Sequence, residues 1–222
     1  VYNHIEVISD GLFDQSGTKV DLRVRIDGQP TDVNISLKAG DVKQFGQVSG
    51  SKFENMVSLF EPLGITLSNN TNIINKYNQF LQKKDTVGAT TMVYEFVKDK
   101  LKNLSKSNKV QLINSLSKFI MFHATRFEDD VTLVQLNRGE AKTYDFNKLL
   151  DGLASVKMGV DIKYGTSATA NAKVPTIRIF DESKVGRNDI LTIRMKIDSR
   201  PDGFYHRNYI EKGPVLTEKL AS

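Results

Sequence analysis

Cysteine and tryptophan are absent from this 222-residue chain, and histidine occurs only at His4, His123 and His206. No disulfide or thiolate-held metal can form, and a zinc site would need carboxylates beside its imidazoles. Also lacking is any apolar run of the roughly 18 or more residues that cross a bilayer, and no charged start leads into a hydrophobic signal segment. These absences predict a soluble, cytoplasmic protein with no membrane partner. The glycine-rich segments carry no Gly-Lys-Ser/Thr of the phosphate-loop type, so nucleotide hydrolysis is not expected. There is no internal repeat and no low-complexity tract. The chain opens on Val1 rather than methionine, as a trimmed chain or one domain of a longer one does.

What is present is ordinary in amount and uneven in arrangement. A hydrophobic content of 39% suits a globular core, and the length suits one domain with a helical insertion. Net charge is +5. Residues 1–50 hold seven acids (Glu6, Asp10, Asp14, Asp21, Asp27, Asp32, Asp41) against five bases, a balance of −2, which leaves +7 on the remainder. A carboxylate-rich segment in a basic chain suits a site that holds a hard cation while its flanks attract a polyanion. A plain soluble surface accounts for the same charges.

Two alternating runs organise that segment. Residues 19–26 (KVDLRVRI) and 32–38 (DVNISLK) read as half-buried strands, and the turn formers between them make a hairpin. Val20, Leu22, Val24 and Ile26 share one face, to be joined by Val33, Ile35 and Leu37. A one-residue slip would turn one set to water, so Asp21 is expected opposite Ser36 or Lys38 on the polar face, while the apolar face packs on helices.

Elsewhere, Ile5, Ile8 and Leu12 have helical spacing and predict a helix end over residues 1–12. Gly46 and Gly50 mark a loop, and Phe53, Val57 and Phe60 outline a helix stopped by Pro62. Apolar stripes predict helices at 93–104 and 113–120, with His123 continuing the second stripe as a core or interface residue. Ten lysines and no arginine fall in 51–125, a solvated helical surface or a phosphate-facing one. From Asp130 the period becomes two, with strands expected at 131–136, 142–146, 158–164, 174–180 and 190–197 and a short helix at 147–156. The fold class is α+β, a single domain with a catalytic hairpin and flanking helices (1–62), a helical segment (63–129) and a β-rich part (130–222).

Phosphodiester hydrolysis needs an activated water, a neutraliser for charge developing on the phosphate, and help for the leaving oxygen; carboxylate-bound Mg²⁺ or Mn²⁺ supplies all three, and a lysine completes the set. Asp21 followed by Ser36-Leu37-Lys38 on the next strand resembles the PD-(D/E)xK nuclease superfamily over residues 1–50. The resemblance implies a restriction-endonuclease-like mixed sheet flanked by helices. It implies metal-dependent DNA cleavage with Asp21 as metal ligand, Lys38 at the phosphate and water, and Glu6 as the acid from a preceding helix. Val20 stands in place of the proline and Ser36 in place of the second acid. Ser-x-Lys restriction enzymes recruit a glutamate from the following helix, which implies Glu54, then Glu61, as further metal ligands. Gln44 or Gln47 matches the glutamine that follows the lysine.

For the partner, duplex DNA, Lys43, Gln44 and Gln47 join Arg200, His206 and Arg207, the last three in a stretch (200–209) that interleaves aromatic, basic and amide groups for stacking and base-edge contacts. A homodimer would suit a restriction-type enzyme. The same residues permit blander readings: Asp21 paired with Arg23 or Lys38, Glu6 and Glu54 as surface acids, and 200–209 as a packed turn. Two rival functions follow, an RNA endonuclease with His4 among the ligands, and a nucleic-acid-binding or structural module whose site decayed with Ser36.

Overall fold

The computed structural model describes residues 4–9, 21–39, 43–125, 131–137, 140–200 and 203–220. The chain is α+β, with a mixed sheet, a second antiparallel sheet and a β-rich C-terminal half. Strands β1 (Ile5–Ser9), β2 (Leu22–Ile26), β3 (Gln29–Ala39), β5 (Val131–Asn137) and β6 (Glu140–Tyr144) form the first sheet in that spatial order. Within it β1, β2 and β3 are antiparallel neighbours, and β5 lies parallel to β3. The parallel pairing demands a crossover, supplied by strand β4 (Gln44–Ser49) and helices α1 (Phe53–Phe60), α2 (Thr71–Gln82), α3 (Thr86–Ser107) and α4 (Lys109–Thr125).

The predicted hairpin forms through a tight two-residue turn at Asp27-Gly28, both at positive φ (51° and 78°), the backbone that Asp-Gly adopts readily. A bulge between Arg23 and Arg25 absorbs the extra residues of β3, and the Thr31 hydroxyl donates to the Val24 carbonyl there at 2.7 Å. Residues 5–9 are not the helix expected from Ile5 and Ile8. They form β1, because pairing with β2 satisfies their backbone along the whole strand.

Side-chain caps start the long helices. The Asn70 Oδ1 accepts from the Ile73 amide (3.1 Å), the Asp85 Oδ1 from Gly88 (2.7 Å) and the Asn108 Oδ1 from Gln111 (3.0 Å). Along α3, Val93, Tyr94, Val97 and Leu101 are wholly buried, each worth about 1.5–3 kcal/mol of transfer free energy. That stripe lies on the second sheet, which runs β4, β10 (Gly203–Lys212), β9 (Asp189–Arg200), β8 (Ala172–Asp181), β7 (Met158–Ser167). Ile177, Ile179, Ile193, Met195, Ile197 and Ile210 make its inner face. Helices α5 (Leu149–Ala154) and α6 (Pro214–Leu220) pack on one another, α6 also on β9.

The first sheet buries the face opposite to the one expected. Ser36, Leu133, Gln135 and Tyr144 are buried, whereas Ile5, Val7 and Leu136 on the apolar face are exposed. The apolar residues between them, Leu22, Val24, Ile35 and Leu37, are half-buried. The polar face is the inward one: the buried Ser36, Leu133, Gln135 and Tyr144 lie on it, and Lys212 of β10 reaches Gln135 there at 3.0 Å. Among the described residues, no helix is long and apolar enough to cross a membrane.

Candidate active site

Asp21 immediately precedes β2, and its backbone amide donates to the Ile35 carbonyl at 2.8 Å. Leu22 is registered with Ile35, so Asp21 faces Ser36. Its Oδ2 accepts from the Ser36 hydroxyl (3.1 Å) and from the Leu37 amide (2.6 Å). Asp21 therefore pairs with the next strand, not with Arg23 or Lys38. Lys38 shares the face of Ser36 two residues on, a diagonal neighbour of Asp21 at about 7–8 Å between backbones. It is half-buried and makes no ion pair among the described residues. Acid and lysine stand on one face at the inner end of a hairpin, as the alternation predicts.

The other expected ligands do not join them. Glu6 lies on β1, registered with Arg25, and its carboxylate takes His4 Nε2 at 3.2 Å. Arg25 is four residue steps along the chain from Asp21, about 13 Å at the strand rise, so Glu6 and Asp21 do not meet at one ion. His4 stays with Glu6 and lies farther still, level with Asp27. Glu54 is exposed in the first turn of α1, and its charge is felt at Tyr77 of α2. That position is at the far end of β4 from Lys43, about 17–20 Å along the strand. Glu61 closes the loop after α1, accepting from the Leu67 and Ser68 amides (3.3 and 2.9 Å); hydrogen bonding from the Ser68 side chain first, then from these amides, holds its carboxyl below the usual range. Among the described residues no group of three His, Asp or Glu could hold a metal ion. Asp10, Asp14 and Asp41 lie outside the described residues.

The donor set still suits a hard cation in one respect. Among the described residues, both Asp21 hydrogen bonds fall on Oδ2 and none on Oδ1, and Mg²⁺ is commonly held by one or two carboxylates, with waters and substrate phosphates completing its shell.

The residues assigned to nucleic acid divide by the period of two. The stretch expected as a loop is β10, paired with both β4 and β9. His206 is a correction: it is fully buried, 3.3 Å from the Thr86 hydroxyl and 3.4 Å from that of Thr90, and burial lowers its pKa. Asn208 is buried beside it and accepts from the Tyr94 hydroxyl at 2.9 Å. The alternate residues face outward. Arg207 pairs with Asp198, and Arg207 and Arg194 lie 5.6 and 5.3 Å from the Tyr209 ring centre. Gln44 and Gln47 stand opposite Glu211 and Tyr209 on that face, Gln44 donating to Gln47 at 3.2 Å. Lys43 is exposed at the start of β4. Arg200 ends β9, with its side chain outside the described residues. His123 is a core residue as expected, its Nε2 donating to the Leu59 carbonyl at 3.2 Å between the rings of Phe119 and Phe122.

Sequence reasoning missed the residues beside Lys38. Gln135 is registered with Lys38 across β3 and β5. Its Oε1 accepts from the Tyr144 hydroxyl (2.7 Å) and from Lys212 Nζ (3.0 Å), and that ammonium sits 4.9 Å from the Tyr144 ring centre. The alternation of β10 contained the signal, since Lys212 continues the inward row of His206, Asn208 and Ile210. With the geometry in place, comparison with known proteins adds nothing to it: no family model, no curated protein and no solved structure matches this chain.

Proposed function

We propose that this chain is a metal-dependent nuclease of the PD-(D/E)xK kind, cutting DNA internally. The observation that carries the reading is the placing of Asp21, Ser36 and Lys38 on one inward face of a three-stranded antiparallel unit. A rigid strand pair holds an acid and a lysine on one face as diagonal neighbours, about 7–8 Å apart between backbones, and Gln44, Gln47 and Arg207 share one face of the second sheet. With Glu6 and Glu54 elsewhere, Asp21 would be the carboxylate that holds the ion; Mg²⁺ commonly takes waters and substrate phosphates beside one carboxylate, so metal binding would strengthen with substrate. The ion, when bound, acidifies water and neutralises charge on the phosphate. Lys38 donates to the phosphate and orients the attacking water. Ser36 and the Leu37 amide hold the Asp21 carboxylate through Oδ2, so that Oδ1 would be the oxygen offered to the ion.

One observation favours the binding-module reading: Asp21 already serves the hairpin as an acceptor for two β3 donors. The test separates the two. Supercoiled plasmid, single-stranded DNA and RNA are incubated with the protein and Mg²⁺, Mn²⁺ or EDTA. Nicking or linearisation with metal, lost in Asp21→Asn and in Lys38→Ala, is the expected result. Full cleavage by either variant refutes the assignment, and no cleavage by the wild type, with DNA binding kept, establishes the binding module. Preferential cutting of RNA moves the substrate but keeps the site.

A further inference from the structure

The stretch with ten lysines and no arginine sets three of them one above another at the end of α3. Lys98, Lys102 and Lys106 are spaced by four and share one face of the helix, and like charges at that spacing oppose helix formation. Lys98 is offset by its neighbour Asp99 at 2.6 Å. Lys106 has no acid three or four residues away in either direction, and neither Lys102 nor Lys106 makes an ion pair among the described residues.

These two lysines form one wall of a groove of about 470 Å³, and Lys109 at the start of α4 and Lys157 between α5 and β7 supply the other. Glu182, the acid of the lining, lies 3.3 Å from the Lys157 ammonium. Lys109 Nζ donates to the Ala154 carbonyl at 2.9 Å, which ties the start of α4 to the end of α5 and fixes that wall. The helix dipole accounts for cations in the last turns of α3, but Lys109 stands in a first turn, where the dipole disfavours one. The Ser105 and Ser155 hydroxyls donate to the Lys102 and Gly152 carbonyls (2.8 and 2.9 Å). The donors left to the groove are therefore ammonium groups on flexible stems. Lysine acts on an anion as a point charge, whereas the rigid fork that reads one carboxylate or phosphate geometry belongs to arginine. Such a lining suits a repeated negative charge better than a single small ligand. Lys102 and Lys106 are about 6 Å apart along the helix axis, comparable with the step between successive phosphates of a nucleic acid strand.

We propose that this groove is a sequence-independent contact for the phosphodiester backbone of DNA, separate from Asp21 and Lys38. Val160 in its lining, Ile179, Leu191 and Lys212 are successive partners across β7, β8, β9 and β10. Lys212 is thus three strand spacings from the groove, about 14 Å, and it reaches Gln135 beside Lys38. One turn of duplex is about 34 Å long, so DNA cut internally at the hairpin has length enough to meet the groove. DNA as the occupant rests on the nuclease reading or on its binding-module rival; the basic groove stands on geometry alone.

The experiment measures binding of the full chain in EDTA, by fluorescence anisotropy, to a duplex of about 20 base pairs between about 50 and 200 mM KCl. Lys102→Gln/Lys106→Gln alters two exposed side chains, so the circular dichroism spectrum should be unchanged. The slope of log K against log salt should become shallower by about 2, and binding at low salt about tenfold weaker, for duplexes of unrelated sequence alike. Lys83→Gln/Lys84→Gln, the same change of charge at the end of α2, should leave the slope as it was. An unchanged slope in the groove variant, or an equal change in the α2 variant, overturns the proposal. So does a wild type that binds phosphatidylglycerol vesicles through Lys102 and Lys106 and ignores the duplex. Metal-dependent nicking that Asp21→Asn abolishes, with the slope unchanged in the groove variant, sinks the groove and spares the nuclease. The expected change of slope in a protein that cuts nothing supports the groove and leaves the binding module as the function.

Discussion

Replacing Ser36 by aspartate would restore the second acid of the Asp…Asp-x-Lys pattern at a position whose geometry fixes the consequence. The Ser36 hydroxyl lies 3.1 Å from Asp21 Oδ2 and the residue is 1% exposed, so the new carboxylate has nowhere to go but against the old one. Two charges at about 4 Å repel by about 4 kcal/mol at an effective dielectric constant of 20. Proton uptake caps the loss at a similar value, because raising a carboxyl from about 3.9 to above 7 corresponds to about 4 kcal/mol at neutral pH. For a chain of this length that lowers Tm by about 8–16 °C. The folded-state pKa is raised above the unfolded one, so the penalty is present at neutral pH and disappears as the pH falls toward 4. A cation between the two carboxylates offsets the same repulsion, and millimolar Mg²⁺ should restore most of the Tm. Ser36→Ala, which loses one hydrogen bond worth about 1 kcal/mol, should show neither recovery. The assay is thermal unfolding by circular dichroism across pH, with and without Mg²⁺. A Ser36→Asp variant as stable as the wild type, or one whose loss neither acid nor Mg²⁺ relieves, refutes the placement of the two side chains.

Asp21→Ala should destabilise by about 1–3 kcal/mol in chemical denaturation, since the Leu37 amide and Ser36 hydroxyl lose their acceptor, while Asp21→Asn keeps an oxygen there and loses less; equal losses would mean the bonds carry no stability. Burial between Thr86 and Thr90 keeps the His206 pKa low, so on acidification the unfolded chain takes up the proton first. That contribution is whole above about pH 6.5 and is lost as the pH falls through the folded-state value. The wild type should accordingly lose more unfolding free energy than His206→Gln between about pH 7 and pH 5, and parallel pH curves would contradict it.

The hairpin was legible because its information is local. Alternation over residues 19–38 with turn formers between predicts two strands and their faces and puts Asp21 opposite Ser36 or Lys38; the bulge between Arg23 and Arg25, which shifts the register by two residues, selects Ser36. The strands β5, β7, β8 and β9 followed from the same period, and the apolar rows of α3 and α4 from the helical one. Five elements were not read from the sequence: β1, whose Ile5 and Ile8 fit a helix as well as a strand; β4, whose glycines read as a loop; α2, where Ile73 and Tyr77 alone are buried in a polar stretch; β10, whose Pro201-Asp202-Gly203 start read as a turn; and the short α6. What no local pattern holds is which face of a sheet meets the rest of the protein. The inward turn of Ser36 and Lys38, the separation of Glu6 and Glu54 from Asp21 and the burial of His206 all arise from where β4 and β10 dock. Residue types and spacing determined a rigid acid–lysine pair; only the packing of two sheets, joining residues more than a hundred positions apart, decided which groups surround it.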